Sequence, residues 1–221
     1  MENEARIRVS RALRIVGIIG VMLGMATVIV SAFLYAQEHD FSIFNTYLSD
    51  IGNTAEWPQV VFNSGMLIAA PVRYLFLVLI VFQLRHVGAG RRFSLFALTI
   101  GALVVVGSIG MSAVPYSRSL AIHKMSALLY FFGVVILQSL IGVQEWRCRL
   151  PAVLPISSVT VVAIYLVFAV LLSLVGKVEG LTRNTPVIWE WLAFCSLMFW
   201  LIVHATVLGN VGTERDHMSP K

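Results

Sequence analysis

The chain has 221 residues, 58% of them hydrophobic and 12% charged, with a net charge of +5 and a mean hydropathy of +0.87. A soluble domain is nearer half apolar and a quarter charged, so this composition excludes one and describes a polytopic membrane protein. No basic patch with interleaved aromatics exists outside short arms, so no nucleic-acid partner is expected.

A helix needs about 20 apolar residues to cross ~30 Å of hydrocarbon. Six stretches meet that length, at roughly residues 13–36, 60–84, 93–114, 125–143, 153–175 and 187–208. The connections are short, so residues 1–221 are read as one all-α transmembrane bundle of six helices. The first stretch follows basic residues, as a secretory signal does, but its apolar core is too long for one and is read as a retained anchor.

Lys and Arg alternate between the connections. Four precede the first span (Arg6, Arg8, Arg11, Arg14), three follow the second (Arg85, Arg91, Arg92), two follow the fourth (Arg147, Arg149) and two lie in the tail (Arg215, Lys221). The other side carries only Arg118, Lys124, Lys177 and Arg183. The positive-inside rule then predicts that both termini are cytosolic. The acidic turn at residues 45–59, "NTYLSDIGNTAEWPQ", holds no Lys or Arg, as a non-cytosolic loop should. Asp50 and Asn53 are predicted to cap local backbone amides there, with Gly52 supplying a positive φ.

In the first span Gly20 and Gly24, and in the third Gly101, Gly107 and Gly110, recur at the spacing of close helix contacts. They are read first as packing within the bundle and second as a homo-oligomer interface. Trp57, Trp146, Trp189 and Trp191 stand at span ends, as interfacial aromatics do. Pro155, followed by Ser157, Ser158 and Thr160, predicts a kink whose freed carbonyls the hydroxyls satisfy. Cys148 and Cys195 fall at different depths and form no metal motif.

Polar side chains inside spans are costly, so each is a candidate for function. Asn63 opens the second span. Arg73 follows ten residues later, about 15 Å along the helix; it either turns inward to an acidic group or snorkels to headgroups. Glu190 sits between two tryptophans at the start of the sixth span, and His123 at the start of the fourth. His204 lies deep in the sixth, where a neutral hydrogen-bonded imidazole is expected because Arg73 is the only other titratable group mapped to that depth. By this topology Asp50, Asn53, Glu56, Asn63, His123 and Glu190 converge on one face. They predict a polar pocket beneath the first loop, with Ser49, Asp50, Asn53, Asn63, Arg73, His123 and Glu190 as its ligand contacts. No motif pairs a nucleophile with a base or gathers metal ligands, so no catalytic residue, metal or cofactor is assigned.

"YLSDIGN", "VFNSGMLIAAPVRYL", "GMSAVPYS" and "IHKMSALLYFFG", in that order, resemble the DRAM, FRAG and SFK type of six-span membrane proteins and the related prokaryotic membrane family of unknown function. The matching positions are Ser49, Asp50, Gly52, Phe62, Gly65, His123 and Ala127, within about the first 135 residues. The resemblance implies lipid-linked biology: lipid-anchor remodelling, phosphoinositide kinase recruitment, bilayer asymmetry and autophagy. Membrane lipids are therefore the expected partners. The leading expectation is a protein that binds or handles lipid without catalysis. A membrane-embedded lipid hydrolase or transferase is the alternative, and a solute transporter would need an internal repeat that the sequence does not display. The economical loops point to the plasma membrane of a prokaryote.

Overall fold

The computed structural model describes residues 2–210; Arg215 and Lys221 of the cation count lie outside them. Among the described residues seven α-helices follow one another: α1 (Glu2–Glu38), the single-turn α2 (Leu48–Ile51), α3 (Trp57–His86), α4 (Arg91–Ala113), α5 (Leu120–Arg147), α6 (Val153–Leu174) and α7 (Val187–Val203). All but α2 are long and apolar enough to cross a membrane, and α7 does so by running on through the π-helical turn His204–Leu208. The chain is a multi-pass integral membrane protein. At 37 residues α1 measures about 55 Å, longer than a bilayer core, so part of it stands clear of the hydrocarbon.

Each long helix packs on its chain neighbour, and α7 returns to α1, so the six close into a ring. Met22, Phe33, Leu95, Met125 and Val159 face outward, each more than 60% exposed, as side chains in lipid are. The half of the ring where α1 begins and the π-helical turn ends is filled by Phe76, Ile80, Leu84, Ile141, Leu154, Trp200 and Leu208, all buried. Glycine makes the close approaches: a Cβ on Gly107 would lie 2.7 Å from the Tyr130 backbone nitrogen of α5, and one on Gly24 would lie 3.0 Å from Met198 Sδ. Both small-residue faces are thus used inside the bundle. Gly88, at φ +109°, ends α3, and the next amide, from Ala89, returns to Leu84 O at 2.9 Å.

The opposite end, here the Asp50 face, is where α1, α4 and α6 finish and α3, α5 and α7 begin. There the ring is capped by residues 39–56, 114–119 and 175–186, and it is less completely filled.

Candidate functional site

The first loop folds down onto the helix tips and is tied to three of its neighbours. Trp191 Nε1 donates to Thr46 O at 2.9 Å, and the Leu48 amide donates to Glu190 Oε2 at 2.6 Å, fixing the loop to α7. Asn63 Nδ2 donates to Gly52 O at 2.9 Å, fixing it to α3. The Ser117 amide donates to Asn53 Oδ1 at 2.7 Å, fixing it to the α4–α5 connection. Trp191 therefore holds the loop in place and is more than an interfacial anchor.

Two readings of this turn are corrected. Gly52 has φ −70°, so no positive φ is involved. Glycine is needed for space, because a Cβ would meet Asn63 Oδ1 and Phe62 Cδ1, each at 2.9 Å. Asp50 does cap locally, accepting from the Tyr47 amide at 3.0 Å. Asn53 reaches across to another loop instead of capping its own.

Asp50 is the hub of the lid. One Arg183 nitrogen donates to both of its oxygens, at 2.6 and 2.7 Å, and the Tyr116 hydroxyl donates to Oδ1 at 3.1 Å. The Asp50 side chain is 12% exposed, that of Arg183 59%. Arg183 also stacks over the Tyr47 ring, 5.0 Å from its centroid, and its carbonyl accepts from the Tyr47 hydroxyl at 2.6 Å. The pairing raises the Arg183 pKa further, chiefly through its hydrogen bond to Asp50. Burial pushes the Tyr47 phenol up to about 12 and also raises Tyr116, with the Asp50 charge second for Tyr116. Tyr116 and Arg183 were not singled out from the sequence. Arg183 stood there only as one of the few cations on its side.

Beneath the lid lies a cavity of about 590 Å³. Ser49, Asp50, Asn63, Arg73, His123 and Glu190 all line it, so six of the seven sequence-predicted contacts meet at one space. Asn53 does not; it borders a shallow bowl on the solvent side of the lid, which shares Asp50, Tyr116 and Arg183 with the cavity. Asp50 and His123 are linked through Tyr116, whose ring stands 5.9 Å from the imidazole. His123 Nδ1 lies 3.0 Å from Val114 O; a carbonyl only accepts, so Nδ1 carries the hydrogen and a neutral ring keeps Nε2 as an acceptor. The walls are apolar and aromatic, with Met66, Phe131, Phe168 and Phe194 among them. Of the lining residues, Leu120 is 52% and Leu172 49% exposed, and Lys124 is exposed too. Exposed residues thus line the side of the cavity between the start of α5 and the end of α6.

Arg73 occupies the cavity floor, midway along α3. It does not snorkel to an end of the bundle: its guanidinium donates to Ser108 Oγ at 3.2 Å. A cation at a helix centre costs about 2.5–3.5 kcal/mol to insert. Among the described residues no carboxylate stands within ion-pair distance of it.

His204 is overtaken by a partner that the sequence reading missed. Its Nε2 lies 2.6 Å from Glu145 Oε1, both side chains are fully buried, and Nδ1 donates to Trp200 O at 2.9 Å. Ser158 Oγ donates to Glu145 Oε2 at 3.4 Å and accepts from Trp200 Nε1 at 2.9 Å. Ser158 thus serves the carboxylate, whereas Ser157 and Thr160 bond carbonyls of their own helix, Leu154 O and Ile156 O. Glu145 escaped notice because the fourth apolar stretch ends at residue 143, while α5 runs on to Arg147 and turns Glu145 inward. Since Nδ1 already carries a hydrogen, Nε2 and the carboxylate share one proton. An exposed trio at the edge of the lid, Glu38, His39 and Glu56, brings its donor atoms within 4.8 Å of one another, but exposed carboxylates commonly gather so without an ion. Both cysteines are free.

No curated protein and no solved structure matches the chain. A family model does match it over residues 18–207, most of its length, and the protein belongs to that family, described as "Protein of unknown function (DUF998)".

Proposed function

We propose that the protein holds a membrane lipid in the cavity under the Asp50 lid and performs no chemistry on it. The observation that carries this reading is the cavity itself. It has a polar roof and aromatic walls, and exposed Leu120, Lys124 and Leu172 line one side of it, which supports entry from the surrounding hydrocarbon. Its size is that of a pocket for a drug-sized ligand, room for a headgroup or one acyl chain. Lys124 on that side suits a phosphate passing at headgroup depth.

The reading without catalysis is supported by the state of the acid groups. Asp50 is held on both oxygens by Arg183, and Glu190 accepts from the lid backbone, so neither is left as a base beside the His123 ring. In this proposal the Asp50 face is non-cytosolic, which the distribution of cations supports. The membrane is the plasma membrane of a prokaryote. The kinship to the DRAM, FRAG and SFK type belongs to the same proposal, resting on Ser49, Asp50, Gly52, Phe62, Gly65, His123 and Ala127, all of which but Gly65 line the cavity.

Native mass spectrometry of the detergent-extracted chain tests it. Wild type should retain an adduct of lipid mass, and Ala127→Trp, which fills the cavity, should lose it while remaining folded. A wild-type spectrum with no adduct after extraction from native membrane, together with no uptake from added lipid, defeats the proposal.

A further inference from the structure

We infer that the ligand of this cavity carries an acidic oxygen group, a carboxylate or a phosphate, that seats on Arg73 at the cavity floor; this rests on the lipid-binding reading and names the class of lipid. The polar groups of the roof already have partners. Asp50 is paired with Arg183, Glu190 with the Leu48 amide, Asn63 with Gly52 O and His123 with Val114 O. Arg73 alone among the deep lining residues brings a full charge, and its one bond goes to a neutral hydroxyl.

The surroundings of Arg73 are those of an anion seat. Ser108 comes from α4, Tyr130 from α5 and Tyr165 from α6, and all three border the same space as the guanidinium. The two phenols are 3.3 Å apart and either can donate to the other, which leaves a second hydroxyl hydrogen free to turn toward an oxyanion. Guanidinium and hydroxyl donors together satisfy a carboxylate or phosphate, and a guanidinium is the side chain suited to two-point contact with either. The two carboxylates of the cavity, Asp50 and Glu190, are at its roof; Asn63, also at the roof, is ten residues before Arg73, about 15 Å away along the helix. A ligand seated this way enters with its acid group leading. Its apolar body then lies against Met66, Phe131, Phe168 and Phe194 and leaves past the exposed Leu120 and Leu172. Pro71, two residues before Arg73, lacks an N–H and so frees a carbonyl on the preceding turn of α3.

The test is binding of a brominated stearate to the purified full-length chain in detergent, read as quenching of tryptophan fluorescence. Trp200 is the reporter, because it borders a small pocket that also includes Arg73. The acid should bind at least about tenfold tighter than its methyl ester. Arg73→Met should bring that ratio close to one, and Arg73→Lys should keep most of it. Equal binding of acid and ester to wild type overturns the inference while leaving the cavity reading standing, and this comparison needs no variant to fold. A ratio that survives Arg73→Met also overturns it. If acid, ester and brominated phosphatidylcholine all fail to bind, the lipid-binding reading falls as well. Inorganic phosphate that displaces the acid supports the anion seat with a soluble source. A retained acid preference without displacement supports the lipid source.

Discussion

At the Asp50 face the charged side chains border about 590 Å³ of open space, whereas Glu145 and His204, in the other half of the ring, have side chains with no exposure at all. Both clusters put ionisable groups among apolar helices, and both link several elements of the bundle. They differ in closure. Every donor of the Glu145–His204 group meets an acceptor within it, through Ser158 and Trp200, and its single shared proton leaves no net charge to neutralise. Arg73 has a full charge, one hydroxyl partner and a cavity in front of it. A closed polar group in a membrane bundle is a rivet, and an open one is a vacancy in the electrostatics that a ligand can fill.

Substitutions of Glu145 and of Arg73 should therefore move stability in opposite directions. Glu145→Ala strands a buried imidazole and should destabilise by about 3–5 kcal/mol, measured as a fall in melting temperature in detergent. Glu145→Gln keeps a donor for His204 Nε2 and should lose less than half as much. Equal losses in the two variants would show that the imidazole does not depend on this contact. Asp50→Ala removes the Arg183 pair, the Tyr116 acceptor and the cap on the Tyr47 amide. A loss of about 1–2 kcal/mol is expected, because Arg183 is more than half exposed and falls back on water. Arg73→Met should do the reverse and stabilise by about 1 kcal/mol in the absence of ligand, since it deletes an unpaired mid-membrane charge. A melting temperature that drops with Arg73→Met would place Arg73 with the structural cluster.

The smallest effect is in pH. Tyr47 has its phenol raised to about 12, mainly by burial. A group raised in the folded state contributes stability that is complete below its ordinary value of 10 and is lost as pH climbs through the folded value. Stability should thus be insensitive to this residue through neutral pH and decline between pH 10 and about 12. Tyr47→Phe should flatten that decline; an unchanged alkaline limb would show that Tyr47 does not titrate with unfolding.

The contrast also separates what was legible in the chain from what was not. The apolar stretches show the long helices because hydrocarbon demands a minimum length of each. Ser49, Asp50, Asn63, His123 and Glu190 could be placed on one face because short connections force neighbouring helices to alternate direction, so depth follows from position within a span. Arg183 and Tyr116 were hidden in loops, where no periodicity says which residue points inward. Glu145 was hidden by a boundary: two residues beyond an apolar run, it looks like loop, and only the packing of α5 against α6 and the contact with His204 turn it into a buried group. Gly52 invited a conformational explanation when the reason is the proximity of Phe62 and Asn63, which no local pattern reveals.

By itself the sequence determined that the chain lives in a membrane, how many times it can cross and which polar groups share an end, since burial of apolar length and helix rise are one-dimensional quantities. Tertiary structure decided which of those polar groups are satisfied by one another and which face open space. That depends on distances between residues far apart in the chain, such as Asp50 to Arg183 and Glu145 to His204, and hydrogen bonds and ion pairs act only over a few ångströms.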